Sequence, residues 1–179
     1  MAKFYEGPRN PPAEIALIRH DGSAVYGGKW TMEDVDMRFR SFELHRIGVP
    51  VASHCLEDLW QPGMPDYKLY LFLNPFYLSD AMREAVKKKT RRNGAVSVWF
   101  YAPGFVKEDG TFSEEAMHDL TGIRLRHELE ERSLDLAVTS FAHPILSEVD
   151  RSDVFDRTGK RGPIFCADDP DAAVLARML

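Results

Sequence analysis

The sequence predicts an α/β protein: a flavodoxin-like three-layer sandwich with a mostly parallel central sheet and a small antiparallel appendage. Two near-continuous apolar runs, residues 67–74 and 95–101, have the composition of strands covered on both faces. A helical pattern lies between them, so the three segments read as a strand, helix, strand unit with a right-handed crossover. Beyond Gly122 the pattern changes to short segments that alternate apolar with polar residues, as half-exposed strands do.

Glu14-Ile15-Ala16-Leu17-Ile18-Arg19 reads as the first strand, running into the polar loop His20-Asp21-Gly22-Ser23. Thr31 can cap a helix in which Met32, Val35, Phe39 and Phe42 recur at steps of three and four, with Gly48 stopping it. Residues 49–56 supply a second strand, with Pro50 suited to its beginning. Gln61-Pro62-Gly63-Met64-Pro65 is a turn leading to the strand from Tyr67. Ser79 caps the next helix, whose inner stripe is Leu78, Met82, Ala85 and Val86 and which Asn93-Gly94 closes in the left-handed region. Its basic end, Lys87-Lys88-Lys89-Thr90-Arg91-Arg92, reads as a solvated helix terminus whose cations complement the dipole. Ser113 with Glu114 and Glu115 opens a short helix ending at Thr121-Gly122. The expected inner strands are 15–18, 51–55, 69–73 and 96–100, with helices on both faces. Residues 123–127 and 134–139 form the appendage, and 163–167 and 172–179 are further apolar pieces.

At 179 residues, 44% hydrophobic and 28% charged, the chain fits one well-filled core. Residues 1–13 read as a polar extension and 14–179 as the domain. A net charge of −5 and a pI near 5.7 provide no field for phosphate backbones or anionic lipid, which argues against nucleic acid and membrane partners. No stretch approaches the roughly 18 apolar residues of a spanning helix and no signal-peptide core is present, so a cytoplasmic protein is expected. Cys55 and Cys166 are too few for a disulfide scaffold and lack metal spacing, and neither a metal nor a cofactor is expected.

In hydrolases and amidotransferases of this architecture the strand-to-helix elbow carries a Ser or Cys flanked by small residues. Here the chain turns through Ala102-Pro103-Gly104-Phe105 after Tyr101, without one. Cys55 has His54 beside it, but neighbours in a strand point to opposite faces, which argues against a catalytic dyad. Cys166 has no nearby His. An active cysteine hydrolase is therefore the weakest reading. His143, before Pro144, suits a fixed turn. Asp150, Asp153 and Asp156 repeat every three residues rather than every two as in a calcium loop. The pairs Glu57-Asp58 and Asp168-Asp169 lie in expected loops and are not specific. The strand ends remain: His20, Asp21 and Ser23 after the first strand, Asn74 and Tyr77 after the third, Tyr101 after the fourth. Ligands bind at such ends in open α/β sheets, and these six residues are the expected ligand-binding set, with no catalytic residue assigned.

Several of these stretches resemble a known family. Pro65-Asp66-Tyr67-Lys68-Leu69-Tyr70 into Leu71-Phe72-Leu73-Asn74, Tyr77-Leu78-Ser79-Asp80, Arg92-Asn93-Gly94-Ala95, Trp99-Phe100-Tyr101-Ala102-Pro103-Gly104 and Leu120-Thr121-Gly122-Ile123 resemble the β-galactosidase trimerisation domain, the amidotransferase-like domain of family 42 glycoside hydrolases. A weaker echo runs through Phe141-Ala142-His143-Pro144-Ile145 and Pro163-Ile164-Phe165-Cys166-Ala167-Asp168-Asp169-Pro170. The resemblance implies a class I amidotransferase-like fold without the catalytic Cys and His, a role in building a trimer, and a catalytic barrel as partner in a longer chain. The family domain continues past the segment resembling residues 169–175 with a further strand and helix that this chain lacks. The expected function is assembly or support of a carbohydrate-active protein, with a small-molecule or carbohydrate-binding module as the alternative. Self-association is expected to involve residues 174–179, whose Val174, Leu175, Met178 and Leu179 have no following element to cover them.

Overall fold

The computed structural model describes residues 12–26, 44–73, 75–133, 135–150, 154–155 and 160–178. The chain divides into two compact units, Met1–Ala116 and Met117–Leu179.

The first unit carries β1 (Ile15–Arg19), β2 (Val51–Cys55), β3 (Leu69–Phe72) and β4 (Val96–Trp99) in one sheet of order β2-β1-β3-β4. Every pairing is parallel: Leu17 lies opposite Ser53 and Leu71, and Leu71 opposite Val98. All four carboxyl ends therefore share one edge. The chain steps from β1 to β2 in one direction and then crosses back to β3, so the order reverses between β1 and β3. This is the expected α/β arrangement, and in open α/β sheets such a reversal is the usual ligand position.

Burial follows the apolar runs through the two strands at the centre. On one face Ala16, Ile18, Tyr70 and Phe72 are at most 1% exposed. On the other, Leu17, Leu71 and Leu73 form a cluster joined by Ile15, Leu44, Val51, Leu69 and Phe100. Double-sided burial explains why β1 and β3 read as unbroken apolar stretches. The expectation that all four strands are inner is corrected: β2 and β4 end the described sheet, and Val96 and Val98 are 59% and 37% exposed. An apolar run of four or five residues does not distinguish a central strand from a terminal one, because neighbours rather than composition decide coverage.

Helix α1 (Asp80–Thr90) begins where Ser79 Oγ accepts the Met82 N–H at 3.3 Å, and Asn93 (φ 56°) and Gly94 (φ 63°) follow it in the left-handed region. Leu78 and Val86 are fully buried, Met82 and Ala85 half-buried. The basic end is not simply a solvated face. Lys89 is 6% exposed, its ammonium 2.6 Å from Asp66 and donating to the Met64 carbonyl at 2.8 Å, and Lys87 pairs with Glu84. Long stems cover apolar surface while their heads find partners, an option that apolar periodicity does not reveal. The helix expected from Thr31 through Phe42 lies outside the described residues; after it come a 3-10 turn, Leu44–Arg46, and Gly48 at φ 69°. Helix α2 (Glu114–Thr121) starts on Ser113 Oγ, which accepts the Ala116 N–H, and ends at Gly122, φ 77°.

The second unit contains β5 (Leu125–Glu128), β6 (Arg132–Ser133), β7 (Leu136–Val138), β8 (Val154–Phe155), β9 (Lys160–Arg161), β10 (Ile164–Ala167) and β11 (Ala176–Met178). All described pairings are antiparallel: β5 with β10, β6 with β9, and β7 between β8 and β11. The antiparallel appendage is thus present. The carboxyl-terminal piece is paired on one side: Ala176 and Met178 pair with Val138 and Leu136, and Thr139 N–H donates to the Leu175 carbonyl, while β11 ends its described sheet and Val174 is 36% exposed. A neighbouring strand edge supplies the ladder that composition alone could not assign to this segment. Asp169 ties the same unit together by accepting from the Arg124 and Asp171 amides.

Candidate functional site

The segments just past the carboxyl ends of β1, β2 and β3 contribute side chains to one network around the buried His20 and Ser23. His20 directly follows β1 and is 2% exposed. The following 3-10 turn, Asp21–Val25, is stitched by Ser23 N–H to the His20 carbonyl and by Tyr26 N–H to the Ser23 carbonyl. Gly22 is required in this turn because a Cβ there would lie 2.9 Å from His20 Nε2. The turn carries Ser23, which is fully buried, back under the imidazole, with Oγ 2.8 Å from Nδ1. Ser23 Oγ also accepts the Tyr77 N–H at 3.0 Å, tying β1's end to the chain after β3. From the 3-10 turn Leu56–Trp60 after β2, Glu57 brings its carboxylate to 3.4 Å from His20 Nε2. The rings of His20, Tyr77 and Tyr26 lie nearly parallel, with centroids 6.1 Å and then 5.3 Å apart.

With the imidazole neutral and its proton on Nε2, the network closes. Nε2 faces Glu57, the Ser23 hydroxyl lies within reach of both Nδ1 and the Tyr77 carbonyl, and Ser23 Oγ accepts the Tyr77 N–H. Burial pushes the His20 pKa down, opposed by the Glu57 carboxylate, the Tyr77 backbone and Asp21. A group whose folded pKa lies below its unfolded value weakens the fold when it charges. The stability contributed by neutral His20 is therefore complete above about pH 6.5 and declines as pH falls below that value toward the folded pKa. We expect the urea midpoint to drop between pH 7 and 5 by more in the wild type than in His20→Gln. Parallel pH profiles for the two proteins would contradict the assignment.

A Ser, His, Glu constellation invites a hydrolytic reading, and the geometry opposes it. Ser23 has no solvent exposure, and its oxygen is already engaged by the Tyr77 amide and the imidazole. A nucleophile must reach a substrate carbonyl. The network holds backbone and rings in place instead.

Of the expected ligand residues, His20, Ser23 and Tyr77 are brought together. Asp21 points outward, 3.6 Å from Arg19, with its side chain 70% exposed. Tyr101 makes a separate contact, its ring edge-on to Phe76 at 5.3 Å, and burial pushes its phenol pKa up. Asn74 lies outside the described residues. Sequence reasoning set Glu57 aside with Asp58 as an unspecific loop pair and missed Tyr26. Glu57 was legible as a carboxylate just after β2, whereas nothing in the sequence marks Tyr26 as Tyr77's stacking partner.

Tyr101 takes φ 66°, a conformation rare for a bulky side chain, in the turn directly after β4. The turn is firmly held. Gly104 N–H donates to the Pro75 carbonyl at 2.6 Å, Val106 N–H to Phe76, and the buried Arg83 guanidinium donates to the Gly104, Leu78 and Ala116 carbonyls. A strained elbow is therefore present with tyrosine in it.

Cys55 belongs to the first unit and Cys166 to the second. Cys55 caps the Leu56–Trp60 turn in exchange with Asp58, and His54 turns instead to Tyr67 Oη at 2.8 Å and toward Asp58 at 3.7 Å. Burial pushes the Cys166 thiol pKa up, the direction that removes nucleophile. His143 accepts the Ile145 N–H within its turn, as expected. Among the described residues no group of three or more His, Cys, Asp or Glu is placed to hold a metal, and no helix is long and apolar enough to cross a membrane. A hollow of about 600 Å³ beside β2 is lined by residues including Leu17, Arg19, Val51 and Cys55, and it includes none of the His20, Ser23 and Tyr77 network.

In comparison with known proteins, the chain matches no family model, and no curated protein matches it.

Proposed function

We propose that the chain is a non-catalytic α/β domain for assembly or support of a carbohydrate-active protein, the role that its resemblance to the β-galactosidase trimerisation domain implies. The observation that carries this reading is the elbow after β4. Its backbone takes φ 66°, and the residue standing in it is Tyr101, whose phenol burial keeps protonated. A protonated phenol is a poor nucleophile at neutral pH. Exposed Val96 and Val98, on the terminal strand of the described sheet, support a role in association.

The expected outcome is no turnover of glutamine or of a β-galactoside, together with a light-scattering mass above the 20.4 kDa protomer at high micromolar concentration. The double substitution Val96→Asp, Val98→Asp should lower that mass. Turnover that disappears in Cys55→Ala or Cys166→Ala would refute the non-catalytic reading, and a strict monomer at every concentration would remove the assembly role.

A second reading, a small-molecule or carbohydrate-binding module, is favoured by a different observation. Side chains from three strand ends converge where the strand order reverses, the usual ligand position in an open α/β sheet.

A further inference from the structure

We infer that β4 of one copy pairs in parallel with β11 of a second copy, so that each copy offers β4 to one neighbour and β11 to another. The inference rests on the assembly reading and names its surface and its partner, a second copy of this chain. β4 ends its described sheet with Val96 and Val98 exposed, and β11 ends its own, with Val174 just before it 36% exposed. β4 reads Val-Ser-Val-Trp and carries neither charge nor proline, the residues that ordinarily keep an edge from pairing. β11 carries one charge, Arg177.

The charges flanking the two strands select the partner and the direction. Lys88 and Arg91 are exposed at the end of α1, just ahead of β4. Among the described residues neither has an ion-pair partner, whereas Lys87 is taken by Glu84 and Lys89 by Asp66. Asp168 and Asp171 are exposed ahead of β11 and likewise have no ion-pair partner among the described residues, while Asp169 accepts the Arg124 and Asp171 amides. Arg91 stands five residues before β4 and Asp171 five residues before β11. A parallel pairing puts both flanks at the same end, and an antiparallel one puts them at opposite ends. With Val96 beside Ala176, Arg91 comes toward Asp171 and uncharged Ser97 lies beside Arg177. Two β4 edges side by side would bring no opposite charges together, so the complementarity selects β11. Different patches meet in this contact, which makes it heterologous.

The test is light scattering of the whole chain from low to high micromolar concentration, at low and at high salt. One variant carries Lys88→Glu with Arg91→Glu, and a second carries Asp168→Lys with Asp171→Lys. The wild type is expected to exceed the 20.4 kDa protomer mass and to lose mass as salt rises. Each variant alone is expected to associate about tenfold more weakly than the wild type. An equimolar mixture of the two is expected to recover association, because each then supplies the flank that the other lacks, and a misfolded variant could not do so. Variants that associate as tightly as the wild type, or a mixture as weak as its components, would remove this interface and leave the assembly reading standing. A wild type that is monomeric at every concentration would remove both.

Discussion

Replacing Arg83 with methionine should lower the unfolding free energy by about 3 kcal/mol. Methionine keeps much of the side-chain volume and removes the fork of donors. The guanidinium is 4% exposed and donates to the Ala116 carbonyl at 2.8 Å and to the Gly104 and Leu78 carbonyls at 3.4 Å. Loss of one short and three longer charge-assisted bonds leaves acceptors that burial keeps from water. Arg83→Lys retains the charge but concentrates it in a compact ammonium that cannot reproduce the planar fork, so it should recover only part of the loss. Because one of the three carbonyls belongs to Gly104, amide exchange at Gly104 and Val106 should quicken along with the global change. Urea denaturation measures the first effect and hydrogen exchange the second. A loss below about 1 kcal/mol would mean that the carbonyls find other donors.

Phe72→Ala should cost about 4 kcal/mol, the larger of the two effects. Phe72 is 0% exposed, lies 4.1 Å from the Trp99 ring at 13° and 6.2 Å from Tyr70, and stands in β3 beside β1. Truncation removes the transfer free energy of a benzyl group and an offset aromatic contact, and it opens a void that two paired strands restrain from collapsing. Phe72→Leu fills part of that volume and should cost less than half as much. The check is a shift in urea midpoint at constant m-value. A change under about 1.5 kcal/mol would show that the neighbouring rings repack into the space.

Fold and site were legible to different depths. β1 and β3 were readable because both faces of a central strand are buried and every position is therefore apolar. The α1 start and stop were readable because Ser79 and Asn93-Gly94 satisfy local backbone demands that do not depend on the rest of the chain. Three of the six expected ligand residues converge because all carboxyl ends of a parallel sheet share one edge, which follows from the strand-helix alternation itself. The Glu57 approach to His20, the Tyr26 stack on Tyr77 and the Lys89 pairing with Asp66 were not readable. Each joins positions more than 20 residues apart, and no local spacing encodes which long-range partners meet.

The amino-acid order by itself determined the element types, their turns and the absence of a nucleophile from the elbow, since these depend on local periodicity, capping and residue identity. Only tertiary structure decided that β4 ends the described sheet and exposes Val96 and Val98, that residues 176–178 pair with β7, and that Tyr101 occupies a strained backbone. Strand pairing and burial belong to neighbours brought from elsewhere in the chain, and a positive φ at tyrosine persists where surrounding structure fixes the turn, as the Arg83 and Pro75 bonds to Gly104 do here. The same physical reason separates Ser23 as a residue from Ser23 as a chemical group: its hydroxyl could have been a nucleophile anywhere exposed, and burial under His20 and Tyr77 makes it a tether.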